Sequence, residues 1–166
     1  MMHNGQLVAV KKVPVNLMTH HDMDREYQIY RKAAHPNIVK LVEKPRIHSD
    51  NKWYIIMEYI SGETLEKIMF NQKLTHRIKS KIITGLCEGL FHLHNNDIVH
   101  QDLKPDNIMV KSDTNEAVII DLGFAKVLPG WPQLCTKYWK HSICSSRDPD
   151  TPLGSARLSL RCVGDG

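Results

Sequence analysis

The sequence predicts an α+β fold in which a small antiparallel sheet precedes a largely helical part. Asn4-Gly5 leads into a Val-rich run, which is a strong hairpin signal. Apolar, β-branched or aromatic runs follow at residues 38–43 and 53–60, and apolar residues recur at helical spacing over 75–94. Strands are therefore expected to dominate the first part of the chain, and a long helix the second.

Turn and capping signals predict the first elements. A strand is predicted over residues 7–13, directly after the Asn-Gly turn. Thr19 and Asp22 resemble a capping box, so a short helix is expected to begin there. It ends before Pro36, since the residue preceding a proline disfavours helical backbone. The polar stretch 48–52 separates the two apolar runs, which predicts two further strands joined by a turn.

The long helix is predicted from Thr75 to His94 and has one apolar face. That face consists of Ile78, Ile82, Leu86, Leu90 and Leu93. A small hairpin is expected to follow, with strands at residues 108–110 and 118–120. Asp121 then stands at the end of its second strand.

Size and composition indicate one soluble domain and exclude several classes. The chain has 166 residues, of which 42% are hydrophobic and 24% charged. Its 22 basic and 18 acidic residues are interspersed, which argues against a nucleic-acid interface. No run approaches the roughly 18 apolar residues of a membrane span, and no signal peptide is visible, so we expect a cytoplasmic protein. The four cysteines lack metal-site spacing and are expected to be reduced thiols.

The most informative stretch is HQDLKPDN at residues 100–107, followed by Asp-Leu-Gly beginning at Asp121. A reacting hydroxyl needs a carboxylate within hydrogen-bond reach, and Mg²⁺ needs hard oxygen ligands. Asp102 suits the first task, while Asn107 and Asp121 suit the second. Lys104 could neutralise a transferred phosphoryl group. A polar turn between a helix and a strand is the simpler interpretation of the octet alone, but the downstream Asp-Leu-Gly argues against it.

Residues 6 to about 128 resemble part of a eukaryotic-type protein kinase domain, and the LKPDN form of the loop is similar to the serine/threonine branch. The resemblance implies a kinase that uses ATP and Mg²⁺ and transfers the γ-phosphoryl group to Ser or Thr hydroxyls of a protein substrate. It also implies that Lys11, in the strand Val-Ala-Val-Lys, reaches the phosphates, and that Glu26 pairs with this lysine. Glu63 would lie near the ribose.

The same resemblance implies where adenine would bind. The hinge would begin at Met57, the gatekeeper position, and backbone groups of Glu58 and Ile60 would meet the adenine ring. The ring would lie between Ala9 and Met109.

The sequence departs from the family pattern at several places. Gln101 replaces the arginine that commonly pairs with a phosphorylated activation loop, and Leu122 replaces the phenylalanine of Asp-Phe-Gly. No glycine-rich loop precedes Lys11, and no Ala-Pro-Glu string follows Thr136. We therefore expect weaker clamping of the nucleotide phosphates and no control through the arginine.

These departures predict an incomplete kinase-like domain at residues 1–136. Residues 1–60 would form the N-lobe, and residues 58–136 the hinge and the start of the C-lobe. Residues 137–166 are rich in Ser, Arg, Asp, Pro and Gly and are expected to form a divergent, disordered tail. Asp-Leu-Gly-Phe-Ala-Lys followed by Leu-Cys-Thr at 134–136 is similar to the inhibitor-of-κB kinases.

A second interpretation follows from the missing part of the domain. Without further helices to cover it, the apolar stripe of the helix at 75–94 would be exposed. The chain would then be a pseudokinase-like, non-catalytic binding module, docking on a partner kinase or scaffold through this helix face. Both functions stay open at this point.

Overall fold

The computed structural model describes residues 1–71 and 74–130. The predicted tail at 137–166, and the segment 134–136 compared above with the inhibitor-of-κB kinases, lie outside the described residues. The described helices are α1 (His20–Lys32), α2 (Leu65–Asn71) and α3 (His76–Asn95). The strands are β1 (Met2–His3), β2 (Gln6–Pro14), β3 (Arg46–Ile47), β4 (Lys52–Glu58), β5 (Gly62–Thr64), β6 (Ile98–Val99), β7 (Ile108–Lys111), β8 (Ala117–Ile119) and β9 (Lys126–Val127). The predicted α+β class is confirmed.

The N-terminal sheet has the strand order β1-β2-β4-β3, with antiparallel neighbours. Asn4 and Gly5 have φ values of 48° and 79°, and this left-handed backbone suits the turn between β1 and β2. The predicted hairpin and first strand are therefore confirmed. Along β2 and β4 the register sets Ala9 opposite Met57 and Lys11 opposite Ile55.

Helix α1 begins at the predicted cap. The Thr19 hydroxyl oxygen accepts a hydrogen bond from the backbone N–H of Asp22 at 3.1 Å, which pairs one of the free amides of the first turn. The buried face of the helix includes Met23, Glu26, Ile29 and Tyr30. Ile29 and Tyr30 belong to the main hydrophobic core, together with residues of α3 and β8.

The predicted strand at residues 38–43 is wrong. Ile38 and Leu41 make only isolated bridges, the first to Ile119 and the second to Met57. The strand that pairs with the edge of β4 is the short β3. The reason is that this segment divides its backbone hydrogen bonds between β8 and β4, so it forms no continuous ladder with either.

Helix α3 lies within one residue of the predicted bounds at each end, but the stripe on it is not exposed as expected. Ile82 and Leu93 are 3% and 0% exposed, and the other three members pack against the cores. The helix packs on β8, and two of its buried residues are Gly85 and Gly89. The exposed side of α3 instead carries Ile83, Cys87 and Phe91.

The glycines of α3 accommodate Asn37, a buried polar residue that the sequence analysis missed. Its Nδ2 donates to the carbonyl oxygen of Ala117 at 2.7 Å. A Cβ on Gly85 would lie 2.7 Å from that same Nδ2, so the absence of a side chain on α3 leaves room for the hydrogen bond. Asn37 thus joins the segment after α1 to β8 and α3. Within the described residues, no helix is long and apolar enough to cross a membrane.

We expect Asn37→Ala to lower the free energy of unfolding by about 1–3 kcal/mol, because the buried carbonyl of Ala117 would lose its hydrogen-bond donor. Asn95→Ala, at an exposed position of α3, is the matched control and should change it by less than about 0.5 kcal/mol. Urea denaturation measures both. Equal effects of the two substitutions would contradict the role given to Asn37.

Candidate active site

The loop at residues 100–107 connects β6 to β7, and its ends are fixed by pairing. Strand β6 pairs with β9, which follows the Asp-Leu-Gly segment. The backbone N–H of Ile120 donates to the carbonyl oxygen of Asn107 at 3.0 Å, so the loop is also bonded to the residue that precedes Asp121. Gln101 has a left-handed φ of 64°. The structure thereby brings the two predicted motifs side by side.

Asp102, Lys104 and Asn107 form one hydrogen-bonded cluster. The ammonium of Lys104 lies 3.0 Å from Oδ2 of Asp102. Nδ2 of Asn107 donates to the same oxygen at 3.0 Å and to the backbone oxygen of Asp102 at 2.9 Å. Both of these neighbours are oxygen acceptors, so the side-chain NH₂ group of Asn107 faces them. Its Oδ1 therefore faces away from Asp102.

The cluster favours the ionised form of Asp102. The hydrogen bond from Lys104 is the largest cause and lowers the pKa of Asp102, and Asn107 acts in the same direction. The same contact raises the pKa of Lys104. Asp102 is therefore a charged acceptor at neutral pH, partly exposed to solvent and able to receive a hydrogen bond from a hydroxyl.

Asp121 forms a second cluster with Lys11 and Gly123. Its Oδ1 accepts from Nζ of Lys11 at 3.0 Å and from the backbone N–H of Gly123 at 2.9 Å. A Cβ at Gly123 would lie 3.1 Å from Oδ1 of Asp121 and 3.2 Å from Nζ of Lys11. A side chain at Gly123 would therefore crowd this ion pair and force its atoms to shift by a few tenths of an ångström.

The expected ion pair between Lys11 and Glu26 is not formed. Lys11 pairs with Asp121 instead, and Oε1 of Glu26 is buried without a hydrogen-bond partner. Glu26 is only 6% exposed, and this burial raises its pKa, with Lys11 acting in the opposite direction. Burial makes the charged form of Glu26 costly, which weakens it as a partner for Lys11, whereas Asp121 is partly exposed.

The residues expected around adenine lie in two different sheets. Ala9 is half-buried in the N-terminal sheet, whereas Met109 lies on β7 in the sheet of order β5-β7-β8. Ile60 follows β4 and is half-buried, and Glu63 lies exposed on β5. The backbone N–H of Glu58 already donates to the carbonyl oxygen of Lys40 at 3.0 Å.

Two buried polar side chains support the Asp-Leu-Gly segment and the catalytic loop. His100 is 4% exposed and its Nδ1 accepts from the backbone N–H of Asp102 at 3.3 Å, as suits the structural role expected for it. Burial lowers the pKa of His100, against the effect of the nearby Asp121 and Asp102 carboxylates. Tyr30, which the sequence analysis missed, accepts a hydrogen bond from the backbone N–H of Leu122.

The donor set at the two motifs fits a magnesium ion better than a softer metal. Asp121 offers a carboxylate and Asn107 an amide oxygen, and both are hard oxygen ligands. Across the described residues, no group of three His, Cys, Asp or Glu side chains forms a metal site by itself. A metal here would therefore need further ligands, such as the phosphates of a bound nucleotide.

Asp102 with Lys104 and Asn107 forms one cluster, and Asp121 with Lys11 forms another. Residues 1–147 match the family model described as the protein kinase domain. The chain belongs to this family.

Two of the following three curated relatives are named serine/threonine-protein kinases. The chain is 37% identical over 108 residues to the serine/threonine-protein kinase DCLK3 of Mus musculus, which covers 63% of this chain and 13% of that protein. It is 33% identical over 135 residues to the serine/threonine-protein kinase dkf-2 of Caenorhabditis briggsae; the match covers 75% of this chain and 11% of that protein. It is 39% identical over 157 residues to the cell division control protein 2 homolog 3 of Trypanosoma brucei brucei; the match covers 90% of this chain and 48% of that protein. The chain thus spans less than half the length of these relatives.

The contact between Asp102 and Lys104 makes a prediction about proton binding. We expect the carboxyl of Asp102 to titrate below an ordinary aspartate in carbon-detected NMR, and Lys104→Met to move its pKa upward. The pair should stabilise the fold above the ordinary aspartate pKa of about 3.9 and lose that contribution as the pH falls through the lowered value. Lys126→Met, at an exposed position, should leave Asp102 unchanged. An unshifted Asp102 in the wild type would contradict the contact.

Proposed function

We propose that the chain belongs to the catalytic region of an ATP-dependent serine/threonine protein kinase that transfers the γ-phosphoryl group to Ser or Thr hydroxyls of proteins. The observation that carries the proposal is the hydrogen-bonded cluster of Asp102, Lys104 and Asn107. Its loop is hydrogen-bonded to Ile120, the residue before Asp121, and Asp121 is paired with Lys11. The family, and the two relatives named as serine/threonine-protein kinases, support the same activity.

Asp102 is the proposed catalytic base. Its carboxylate would accept the hydrogen bond of the substrate hydroxyl, orient that oxygen for in-line attack, and take the proton as the new P–O bond forms and the bond to the leaving phosphate breaks. Lys104, 3.0 Å from the carboxylate, would offset negative charge on the transferred group. Asn107 holds Asp102 through two hydrogen bonds, so the base is positioned before substrate binds.

Asp121 and Asn107 are the proposed ligands of Mg²⁺, and Lys11 the proposed contact of the α- and β-phosphates. Magnesium bound with ATP would neutralise the phosphate charge. Lys11 lies 3.0 Å from Asp121, so the phosphate-binding cation and the metal-binding carboxylate already share one place in the structure. Glu26 is the proposed alternative partner of Lys11.

The nucleotide base is proposed to lie between Ala9 and Met109. The backbone N–H of Glu58 is used by Lys40, so its carbonyl oxygen is the group we assign to adenine. Ile60 would contribute a backbone group and Glu63 would contact the ribose. These assignments rest on the family resemblance together with the placement of the residues in the sheets.

A binding function without catalysis is the second candidate, and one observation favours it. Large apolar side chains on the outer sides of α2 and α3 are exposed: Met69 by 61%, Phe70 by 85%, Ile83 by 58% and Phe91 by 68%. These side chains replace the predicted five-residue stripe as the surface that could meet a partner kinase or a scaffold. Detection of a bound partner, together with no effect of Mg-ATP on the melting temperature, would favour this function.

We expect the purified protein to show Mg-ATP-dependent phosphorylation of a Ser/Thr peptide mixture, and Asp102→Asn to lower kcat by about 100-fold or more, because the base is lost. Asp106→Asn is the matched control: the residue lies in the same loop, is exposed, and takes no part in the cluster. Its kcat should stay within about twofold of the wild type. Radiolabelled phosphate transfer measures all three proteins. Activity that survives Asp102→Asn would refute the assignment of the base.

A further inference from the structure

The side chain of Tyr30 crosses from helix α1 to the Asp-Leu-Gly segment. Its hydroxyl oxygen accepts a hydrogen bond from the backbone N–H of Leu122 at 3.2 Å, joining residues 92 positions apart in the chain. Tyr30 is 7% exposed and Leu122 is 0% exposed, so solvent does not compete for this contact.

The surroundings of Tyr30 do not themselves call for a hydroxyl. The ring lies in the main hydrophobic core with Ile29, Val39 and Leu122. An apolar side chain could fill the same space, and burying a hydroxyl among apolar groups is unfavourable unless it is hydrogen-bonded. The hydrogen bond to Leu122 is therefore the feature that distinguishes tyrosine from phenylalanine here.

In the chain, the Leu122 amide lies between Asp121 and Gly123, whose N–H donates to the carboxylate of Asp121. The peptide unit that it belongs to joins Asp121 to Leu122, and the next N–H, that of Gly123, donates to Oδ1 of Asp121. Holding the Leu122 amide fixes the orientation of this peptide. It thereby restricts where the carboxylate of Asp121 points relative to Lys11.

We propose that Tyr30 is a positioning residue that acts through Leu122 to orient the carboxylate of Asp121. The role of that carboxylate as a metal ligand rests on the proposed function, while the hydrogen bond itself does not. Tyr30 lies one helical turn after Glu26, and both belong to the buried face of α1.

The test compares Tyr30→Phe with Tyr27→Phe. Tyr27 lies on the same helix, is half-buried, and makes cation–π contacts but no described hydrogen bond through its hydroxyl. Both substitutions remove one oxygen atom. Burial raises the pKa of Tyr30, so the wild-type hydroxyl stays protonated through the pH range of the experiments.

The first measurement is amide hydrogen exchange at Leu122 in the full chain without nucleotide. Tyr30→Phe should speed this exchange by about tenfold, because the buried amide loses its only described partner. The amide of Leu86, near the centre of α3, reports global unfolding and corrects for any loss of stability. Tyr27→Phe should leave the corrected exchange rate of Leu122 unchanged.

The second measurement is ATP affinity with and without Mg²⁺. Tyr30→Phe should reduce the affinity gained from Mg²⁺ by about five- to tenfold, because Asp121 spends less time in the competent orientation, and should leave the magnesium-free affinity unchanged. A purely structural role would lower both affinities alike.

The outcomes distinguish a failure of the role given to Tyr30 from a failure of the proposed function. Unchanged corrected exchange at Leu122 would overturn the anchoring role of Tyr30 whatever the protein does with ATP. Tighter Mg-ATP binding by Tyr30→Phe would overturn the positioning role, since the bond would then hold Asp121 away from its working orientation. A wild type that binds no Mg-ATP would overturn the proposed function, and with it the role given to Asp121.

Discussion

The structure depends on the backbone hydrogen bonds of one buried residue, Ile119 in β8. Its N–H donates to the carbonyl oxygen of Asn37, and its carbonyl oxygen accepts from the N–H of Val39, both at 2.8 Å. The segment that follows α1 is thereby bound to the strand that leads to Asp121. Since Ile119 is fully buried, a broken bond here would leave an unpaired polar group away from water. Strand β8, which leads to Asp121, is therefore held in a fixed position.

The charges of the candidate site are balanced in two ion pairs. Asp102 and Asp121 each have one lysine ammonium at 3.0 Å, from Lys104 and Lys11 respectively. The side chains of both pairs are 30–47% exposed, so solvent screens the attraction and each pair contributes little to stability. Their importance is positional, because two carboxylates and two cations are held at a site where charged phosphate groups would bind.

Sequence reasoning succeeded where the signal is local. The cap at Thr19 and the Asn4-Gly5 turn each join residues close in the chain, so short-range chemistry determines them. It failed where the partner is distant. The segment 38–43 resembles a strand in composition, but its hydrogen bonds go to two different strands. The buried side of α3 includes Gly85 and Gly89, which no apolar pattern reveals.

The partner of Lys11 was beyond sequence reasoning because two carboxyl groups compete for it. Glu26 is buried, which raises its pKa, while Asp121 is partly exposed and accepts a hydrogen bond from the N–H of Gly123. Burial makes a carboxylate costly to ionise, so it weakens Glu26 as a partner for the ammonium. Lys11 still acts electrostatically on Glu26, so both carboxyl groups lie within its influence. A cation bound at Asp121 would weaken the attraction of Lys11 to Asp121 and leave Glu26 as the competing carboxyl group. The unformed ion pair therefore reflects a competition between two carboxyl groups and leaves the proposed catalytic residues in place.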